Sequence, residues 1–147
     1  MTVKHKRGHT ILGIDRGSKY IGVAYTNSDN EVIFPLGYIL NDQMVYFSLS
    51  DIIYKYQIKE IVIGRPSRQE NIQEKITQFM TSLNSIIEDQ HISIHTQEED
   101  YSSVQSGEIL SKTAQSLGLV NNDNNYRKNA AQDTVSAMVI LERWKRK

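Results

Sequence analysis

The hydrophobic period of this chain changes close to residue 41, where strand patterns first give way to a helical one. Before that point, three consecutive apolar segments indicate strands, and the second has Ile21, Val23 and Tyr25 at every second residue, which is the pattern of a half-buried strand. The predicted strands cover residues 10–15, 20–26 and 31–40. Pro35 interrupts the third segment, so this strand suits the edge of a sheet better than its centre. The first forty residues therefore predict three antiparallel strands.

After residue 41, helical patterns alternate with short apolar segments, and Asn41 is the candidate cap of the first helix. The predicted order is a helix at 42–56, a strand at 60–64, a helix at 71–89, a strand at 92–96, and helices at about 102–117 and 130–145, with a polar asparagine-rich loop at 119–128. Strands that alternate with helices predict helices on both faces of the sheet. The predicted fold class is α/β, with a mixed five-stranded sheet whose three antiparallel strands come first.

Length and composition narrow the classes of function. The 147 residues suit one compact domain, and we expect a basic tail over residues 1–9 and a single domain over residues 10–147. The absence of cysteine excludes disulfides, thiolate zinc sites and cysteine catalysis. No apolar run approaches the roughly 20 residues of a membrane helix, and no signal peptide is visible. We therefore expect a cytoplasmic protein with no membrane partner, as a monomer or a weak homodimer.

The formal net charge is zero, but the charges are unevenly distributed. Basic residues crowd both ends of the chain, at residues 4–7 and 143–147, whereas acidic residues concentrate in the middle. Basic termini on a neutral protein indicate a polyanionic partner. The simpler alternative is that they keep the chain ends solvated.

Three acidic positions lie far apart in sequence, each at the end of a predicted element. Asp15 ends the first strand, Glu99 belongs to the acidic run Glu98–Asp100 after the fifth strand, and Asp133 lies in the first turn of the last helix. Each residue also has a simpler explanation: Asp15 suits a turn, Glu99 a solvated charge run, and Asp133 the start of a helix, where the helix dipole favours an anion. Together they offer the oxygen ligands that Mg²⁺ or Mn²⁺ prefers. Two such ions about 4 Å apart hydrolyse phosphodiesters without a covalent nucleophile. We therefore expect these three residues to bind metal and to be catalytic.

Three segments resemble motifs of the YqgF (RuvX-like) nucleases. Residues 14–24 are similar to the opening motif Asp-x-Gly-x-Lys/Arg-x-x-Gly-Val-Ala, residues 61–66 to Ile-Val-Gly-x-Pro, and residues 133–142 to the closing helix Asp-x-x-Ala/Ser-Ala-x-x-Ile-Leu. The resemblance covers about residues 11–144 and implies an RNase H-like fold. It also implies a nuclease that matures the 5′ end of the small-subunit ribosomal RNA precursor. Holliday-junction resolution, with branched DNA as the substrate, is the alternative.

The middle motif of this chain departs from the family pattern, which is Asp-Glu-Arg followed by an apolar residue and two hydroxyl residues. Aligning residues 101–104 with the end of that motif places Glu99 at the catalytic Glu position and Asp100 at the Arg position. A shift of one residue would select Glu98 instead. The basic residue that often precedes the last Asp of the family is also missing, because Gln132 stands there. Both changes remove positive charge that could hold phosphate.

Cationic side chains near these motifs are candidate nucleic-acid contacts. Lys19 flanks the turn after Asp15, while Arg16 is equally compatible with a solvent-facing position. The other candidates lie in predicted loops: Arg65, Arg68, Arg127 and Lys128. Contacts of this kind with phosphate would make the affinity depend on salt.

Two functions of other classes remain open on the sequence. The Asp-x-Gly turn also occurs in sugar-kinase and actin-like domains, which close in pairs on a nucleotide; this chain is too short for such a pair unless it dimerises. A non-catalytic nucleic-acid or protein-binding module on the same fold is the second alternative. The altered middle motif favours that module, whereas the presence of all three acidic positions favours an active nuclease.

Overall fold

The computed structural model describes residues 8–29, 31–66, 70–88, 90–99 and 125–147, without the side chains of residues 70–72, 99 and 125–133. The strands are β1 (Thr10–Arg16), β2 (Tyr20–Asn27), β3 (Ile33–Leu40), β4 (Ile58–Pro66) and β5 (Ser93–Glu99), and the helices are α1 (Val45–Lys55), α2 (Glu70–Ile87) and α3 (Asn125–Lys145). The helix predicted at 102–117 lies outside the described residues. None of the helices in the described ranges is long and apolar enough to cross a membrane.

The five strands form one mixed sheet in the order β3-β2-β1-β4-β5. The pairs β1–β2 and β2–β3 are antiparallel, whereas β1–β4 and β4–β5 are parallel. This arrangement confirms the predicted mixed sheet with three antiparallel strands first. Because β1, β4 and β5 are parallel, their carboxyl ends meet at one edge of the sheet, which we call the carboxyl edge.

The edge strand β3 contains the irregularity that Pro35 predicted. Leu36 is left unpaired between Pro35 and Gly37, which forms a β-bulge, and Gly37 has φ +92°. The backbone N–H of Gly37 donates to Thr134 Oγ1 at 3.1 Å, and that hydroxyl donates to the carbonyl oxygen of Val23 at 2.8 Å. The bulge therefore anchors α3 across β2 and β3.

Helices cover both faces of the sheet, as predicted. The face covered by α1 and α2, called the α2 face, is built from Leu12, Ile14, Ile61 and Ile63 with the helix residues Leu49, Ile53, Ile76, Phe79, Leu83 and Ile87. The opposite face, called the α3 face, is built from Ile11, Ala24 and Val62 with Ala137, Ile140 and Leu141. Buried apolar side chains on both faces make the central strands the core of the domain. In α2 the last buried position is Ile87, while the neighbouring Ile86 is 36% exposed.

Glycine at position 13 allows α3 to lie directly on β1. A Cβ atom there would be 2.5 Å from Leu141 Cγ and 2.9 Å from the carbonyl oxygen of Ala137. These distances are shorter than any ordinary packing contact, so a side chain would push the helix away from the strand. Asp15 is the next residue of β1 on the same face, and the close packing holds it against α3.

The first helix begins later than predicted, and Asn41 does not cap it. The residue at the N-cap position is Met44, which makes no side-chain capping bond. Asp42 Oδ1 instead accepts a hydrogen bond from the backbone N–H of Met44 at 2.9 Å. This side chain closes a local turn that competes with helix formation, which is why α1 starts only at Val45.

Three other elements extend further than predicted. β5 continues to Glu99, so Glu98 and Glu99 belong to the strand rather than following it. β4 continues to Pro66, which places Arg65 in a strand rather than a loop. α3 begins at Asn125, so Asp133 lies in the third turn and not the first, and residues 127 and 128 are helical. A helix anchored by packing gains one hydrogen bond per added residue, which overrides the weak helix propensity of asparagine.

Candidate active site

Asp15 lies at the carboxyl edge, on the central strand and on the α3 face of the sheet. Its carboxyl accepts a hydrogen bond from the hydroxyl of Ser136 in α3. Burial raises the pKa of Asp15 to about 6, and the hydrogen bond from Ser136 partly opposes that rise. The ionised carboxylate is therefore poorly solvated, and a nearby cation would stabilise it strongly.

The turn that follows Asp15 is fixed by its own backbone and by a residue from the end of β3. The N–H of Gly17 donates to the carbonyl oxygen of Tyr20 at 2.9 Å, and a Cβ atom at Gly17 would be 2.6 Å from that oxygen. Asn41 Nδ2 donates to the carbonyl oxygen of Gly17 at 2.8 Å, and Asn41 N donates to Lys19 O at 2.9 Å. The role of Asn41 is therefore to hold the turn beside Asp15.

The register of β4 with β5 separates the two adjacent glutamates. Glu98 is paired with Arg65, whose Nη2 donates to Thr77 Oγ1 of α2 at 3.3 Å. Glu98 is therefore placed on the α2 face, opposite to Asp15. Position 99 is paired with Pro66, one residue further along each strand. Because successive residues of a strand alternate between faces, position 99 falls on the α3 face.

A ring contact at the other end of β5 supports this assignment of faces. His95 stacks on Trp144 of α3, with their ring centroids 4.7 Å apart. His95 and position 99 differ by four residues of a regular strand, so they share a face. The backbone of β5 thus places position 99 on the same side of the sheet as Asp15.

The backbone of α3 places Asp133 close to the carboxyl edge. At the C-terminal end of α3, Lys145 Nζ donates to the carbonyl oxygen of Asn27 at 3.1 Å, near the start of β1. Ser136, nearer the N-terminus of α3, contacts Asp15 at the end of β1. The helix therefore runs antiparallel to β1, and Asp133 precedes Ser136 by three residues, which places both on one helix face.

Among the side chains that the structure describes, no three histidine or acidic groups converge on a point that could hold a metal ion. Asp15 is the one member of the predicted set whose side chain is described. For Glu99 and Asp133 the structure gives the backbone position, on the α3 face and in the third turn of α3. Metal binding by Asp15, Glu99 and Asp133 stays a prediction.

The predicted nucleic-acid contacts do not form one cluster among the described residues. Lys19 is exposed in the turn after Asp15, with its Nζ 5.7 Å from the ring centroid of Tyr20. Arg65 faces α2 rather than α3. Arg68 lies outside the described residues, and residues 127 and 128 are placed by their backbone alone, in the first turn of α3. Their contacts with phosphate stay a prediction.

Two residues that act on Asp15 or on the turn after it were not assigned to the candidate site from the sequence. Ser136 had a usable signal, since a polar residue three positions after Asp133 shares its face on a helix. Asn41 had no comparable signal, because its partner Gly17 is 24 residues away and the contact depends on how β3 returns to the turn.

Comparisons with known proteins identify the family of this chain. A family model described as RuvX, Holliday junction resolvase, matches residues 9–146. The chain belongs to the RuvX family. A relative from Sulfurihydrogenibium, provisionally named a pre-16S rRNA nuclease, is 33% identical over 136 residues, which cover 90% of this chain and 86% of the relative. A relative of the same name from Malacoplasma penetrans is 30% identical over 138 residues, with coverage of 91% and 92%. The predicted family is confirmed, and both names denote hydrolases of phosphodiester bonds.

Solved structures of resolvases share the fold. The fowlpox virus Holliday junction resolvase superposes with a TM-score of 0.60 at 14% identity, covering 93% of this chain and 97% of that chain. RuvC of T. thermophilus, in complex with a Holliday junction substrate, gives a TM-score of 0.54 at 10% identity, with coverage of 92% and 96%. At these identities the likeness concerns the fold alone, and it confirms the RNase H-like α/β architecture that the sequence predicted.

Proposed function

We propose that this RuvX-family protein is a divalent-metal-dependent nuclease whose active site lies on the α3 side of the carboxyl edge. The observation that carries the proposal is the position of Asp15. Asp15 is the penultimate residue of the central strand, its carboxyl accepts a hydrogen bond from Ser136, and burial raises its pKa to about 6. A desolvated carboxylate on the face to which the backbones of position 99 and of α3 also belong is an arrangement that a cation would stabilise.

The donor set fits hard divalent cations. Mg²⁺ and Mn²⁺ prefer carboxylate oxygens, and Asp15 keeps unused lone pairs after accepting the bond from Ser136. Nucleases and resolvases of this family generally use divalent metal ions. We propose Mg²⁺ or Mn²⁺, as two ions held by Asp15, Glu99 and Asp133. When bound, such ions lower the pKa of a water molecule and stabilise the leaving oxygen.

The residues of the chain supply the positioning for this chemistry. The Ser136 hydroxyl donates to the Asp15 carboxyl and favours its ionised form, which is the form that binds a cation. The bond from Asn41 to Gly17 fixes the turn that follows Asp15. Strand alternation supports Glu99 over Glu98 as the ligand from β5, since position 99 shares the face of Asp15.

The substrate that we propose is the precursor of 16S ribosomal RNA, cut during maturation of its 5′ end. The support is the name of the relatives that match most of this chain, together with the family resemblance of its motifs. A role on ribosomal RNA would place the protein in the cytoplasm, and we expect a monomer or a weak homodimer. The second candidate substrate is a four-way DNA junction, favoured by the description of the family model and by the structural neighbours.

The test is a cleavage assay on both substrates, with Mg²⁺, with Mn²⁺ and with a chelator. We expect Asp15→Asn, Asp133→Asn and Glu99→Gln each to reduce metal-dependent cleavage by more than about 100-fold, because each removes several kcal/mol of transition-state stabilisation. Glu98→Gln is the matched control, since it makes the same chemical change one residue away on the opposite face. We expect it to keep near wild-type activity.

Each contrary outcome points to a defined alternative. Equal losses from Glu98→Gln and Glu99→Gln would refute the assignment of the ligand from β5. Retained nucleic-acid binding without cleavage at any metal concentration would favour the non-catalytic binding module. ATP binding without nuclease activity would favour the kinase-like and actin-like alternative.

A further inference from the structure

Two arginines lie at the carboxyl edge on the α2 face, opposite to Asp15. Arg16 ends β1 and Arg65 is the penultimate residue of β4. The last residues that pair between β1 and β4 are Ile14 and Ile63, and each arginine follows its own member of that pair by two residues. Residues two apart in a strand point to the same face, and Ile14 and Ile63 lie on the α2 face. Arg16 and Arg65 therefore extend the α2 face from neighbouring strands.

Both guanidinium groups rest against the same stretch of α2. The Cζ atom of Arg16 lies 5.8 Å from the ring centroid of Phe79. Arg65 Nη2 donates to Thr77 Oγ1 at 3.3 Å. Arg16 and Arg65 occupy matching positions on the neighbouring strands β1 and β4, each two residues past the Ile14–Ile63 pair, so their backbones lie side by side.

Neither guanidinium has its charge balanced within the described part of the chain. The Nε atoms of Arg16 and Arg65 are both buried without a hydrogen-bond partner. The ion pairs among the described residues involve other groups, on His9, His95 and Arg146. A buried charged donor without an acceptor destabilises the fold, and two like charges repel one another. An anion bound between the two groups would relieve both costs.

The surroundings of Arg65 offer further neutral donors for such an anion. A groove of about 440 Å³ opens between α2 and β5. Its described polar lining consists of Arg65, Thr77, Thr81, Asn84 and Thr96. No carboxylate belongs to this described lining; Glu98, in register with Arg65, is the neighbouring acidic residue, and its side chain is exposed. Hydroxyl, amide and guanidinium donors together suit the several oxygens of a phosphate group.

We propose that Arg16 and Arg65 bind a phosphate group of the nucleic-acid backbone on the face opposite to the candidate active site. The planar donor fork of arginine matches two phosphate oxygens at once. A nucleic-acid strand that crosses the carboxyl edge would place one phosphate near Asp15 on the α3 face and another phosphate near Arg16 and Arg65 on the α2 face. The identity of the ligand as nucleic acid rests on the proposed function, whereas the anion site itself rests on the geometry of the two arginines.

The first test is RNA binding in the presence of a chelator, so that cleavage plays no part. We expect the double variant Arg16→Gln/Arg65→Gln to bind a labelled RNA hairpin roughly tenfold more weakly, with a salt slope reduced by about 0.7–0.9, the value for one phosphate contact. Lys59→Gln controls for the loss of one positive charge and is matched to the single variant Arg65→Gln, because Lys59 is exposed near the start of β4, at the opposite end of the strand. We expect it to leave the affinity and the slope unchanged.

Arg65→Lys separates charge from geometry. It keeps the positive charge but loses the planar fork, so we expect an affinity between those of the wild type and Arg65→Gln. Circular dichroism and thermal unfolding check that every variant is folded. Should the double variant fail to fold, the comparison of Arg65→Gln with Arg65→Lys still tests the site. Unchanged RNA affinity and salt slope in these variants would overturn the proposal.

The second test uses inorganic phosphate as the probe in a phosphate-free buffer. We expect phosphate to raise the melting temperature of the wild type and of Lys59→Gln, but not that of the double arginine variant. Arginine-dependent binding of inorganic phosphate together with arginine-independent RNA binding would mean that the site takes a free phosphate, and the nucleic-acid assignment would be overturned. Arginine-dependent RNA binding in a protein that never cleaves would refute the nuclease proposal and leave this site standing.

Discussion

The hydroxyl of Ser136 in α3 hydrogen-bonds the carboxyl of Asp15 at the end of β1. This contact joins the closing segment of the chain to its opening segment across the sheet. It depends on the close approach of α3 to β1 at Gly13, one strand repeat before Asp15. The candidate active site is therefore coupled to the packing of the core.

Replacing Ser136 by alanine will raise the pKa of Asp15 above its wild-type value of about 6. The hydroxyl stabilises the ionised carboxylate, and without it burial acts unopposed. A carbon-detected NMR titration of the Asp15 carboxyl in metal-free protein measures the shift. The acid limb of the cleavage profile should move to higher pH in parallel. Ser136→Thr keeps a hydroxyl and serves as the control, and an unchanged or lower pKa in Ser136→Ala would contradict the role assigned to this bond.

Asp15→Asn will stabilise the metal-free protein at neutral pH. Folding raises the pKa of Asp15 from 3.8 to about 6, so the folded state binds this proton more tightly than the unfolded state. The contribution of Asp15 to stability is therefore fully present below pH 3.8 and is lost as the pH rises through 6. At about 1.4 kcal/mol per pKa unit, the amide should increase the free energy of unfolding by about 1–3 kcal/mol at neutral pH, and by much less in acid.

Urea denaturation in metal-free buffer, at neutral pH and in acid, tests this prediction. Asp51→Asn is the control, because Asp51 is an exposed carboxylate on α1. Addition of Mg²⁺ should raise the stability of the wild type and leave that of Asp15→Asn nearly unchanged. A variant that is less stable than the wild type at neutral pH would show that burial does not destabilise the charged form of Asp15.

Asn41→Ala will weaken both the fold and the cleavage activity. It removes the 2.8 Å bond to the carbonyl oxygen of Gly17, in the turn that follows Asp15. We expect the free energy of unfolding to fall by about 1 kcal/mol, the usual net value of one hydrogen bond. Asp42→Ala is the matched control, since it also removes one hydrogen bond, to the N–H of Met44, but at the start of α1. Equal effects of the two variants on cleavage would contradict a special role of Asn41.

Gly13→Ala will displace α3 from β1. The added Cβ would lie 2.5 Å from Leu141 Cγ and 2.9 Å from the carbonyl oxygen of Ala137, and the latter is a backbone atom that cannot rotate away. We expect a loss of about 1–3 kcal/mol in unfolding free energy, as for other overpacked cores. Cleavage should fall further than stability alone explains, because Ser136 and Asp133 move with the helix.

The control for this variant is Ile140→Val, which weakens the same helix without pushing it. Ile140 is fully buried on the α3 face, and the shortened side chain should cost about 0.5–1.5 kcal/mol. We expect it to retain cleavage under conditions where the protein is folded. Thermal unfolding and cleavage rates are measured side by side for both variants. A loss of activity in proportion to the loss of stability in both would contradict the prediction.

Several features of the fold followed directly from local sequence patterns. Pro35 predicted an irregular edge strand, and β3 lies at the edge with its bulge beside that residue. The change of hydrophobic period near residue 41 predicted the three antiparallel strands and the later parallel pairs. These features are local because backbone geometry gives strands and helices different side-chain periods.

The sequence by itself predicted the element types, the family and a set of acidic positions, Asp15, Asp133 and either Glu99 or Glu98, because motifs and periods are properties of neighbouring residues. Tertiary structure alone decided which face each side chain takes. The register of β4 with β5 puts Glu98 on the α2 face and position 99 on the α3 face. It also brings Arg16 and Arg65 together against one helix. A shift of one residue in register would reverse every such assignment, and register depends on packing between distant segments.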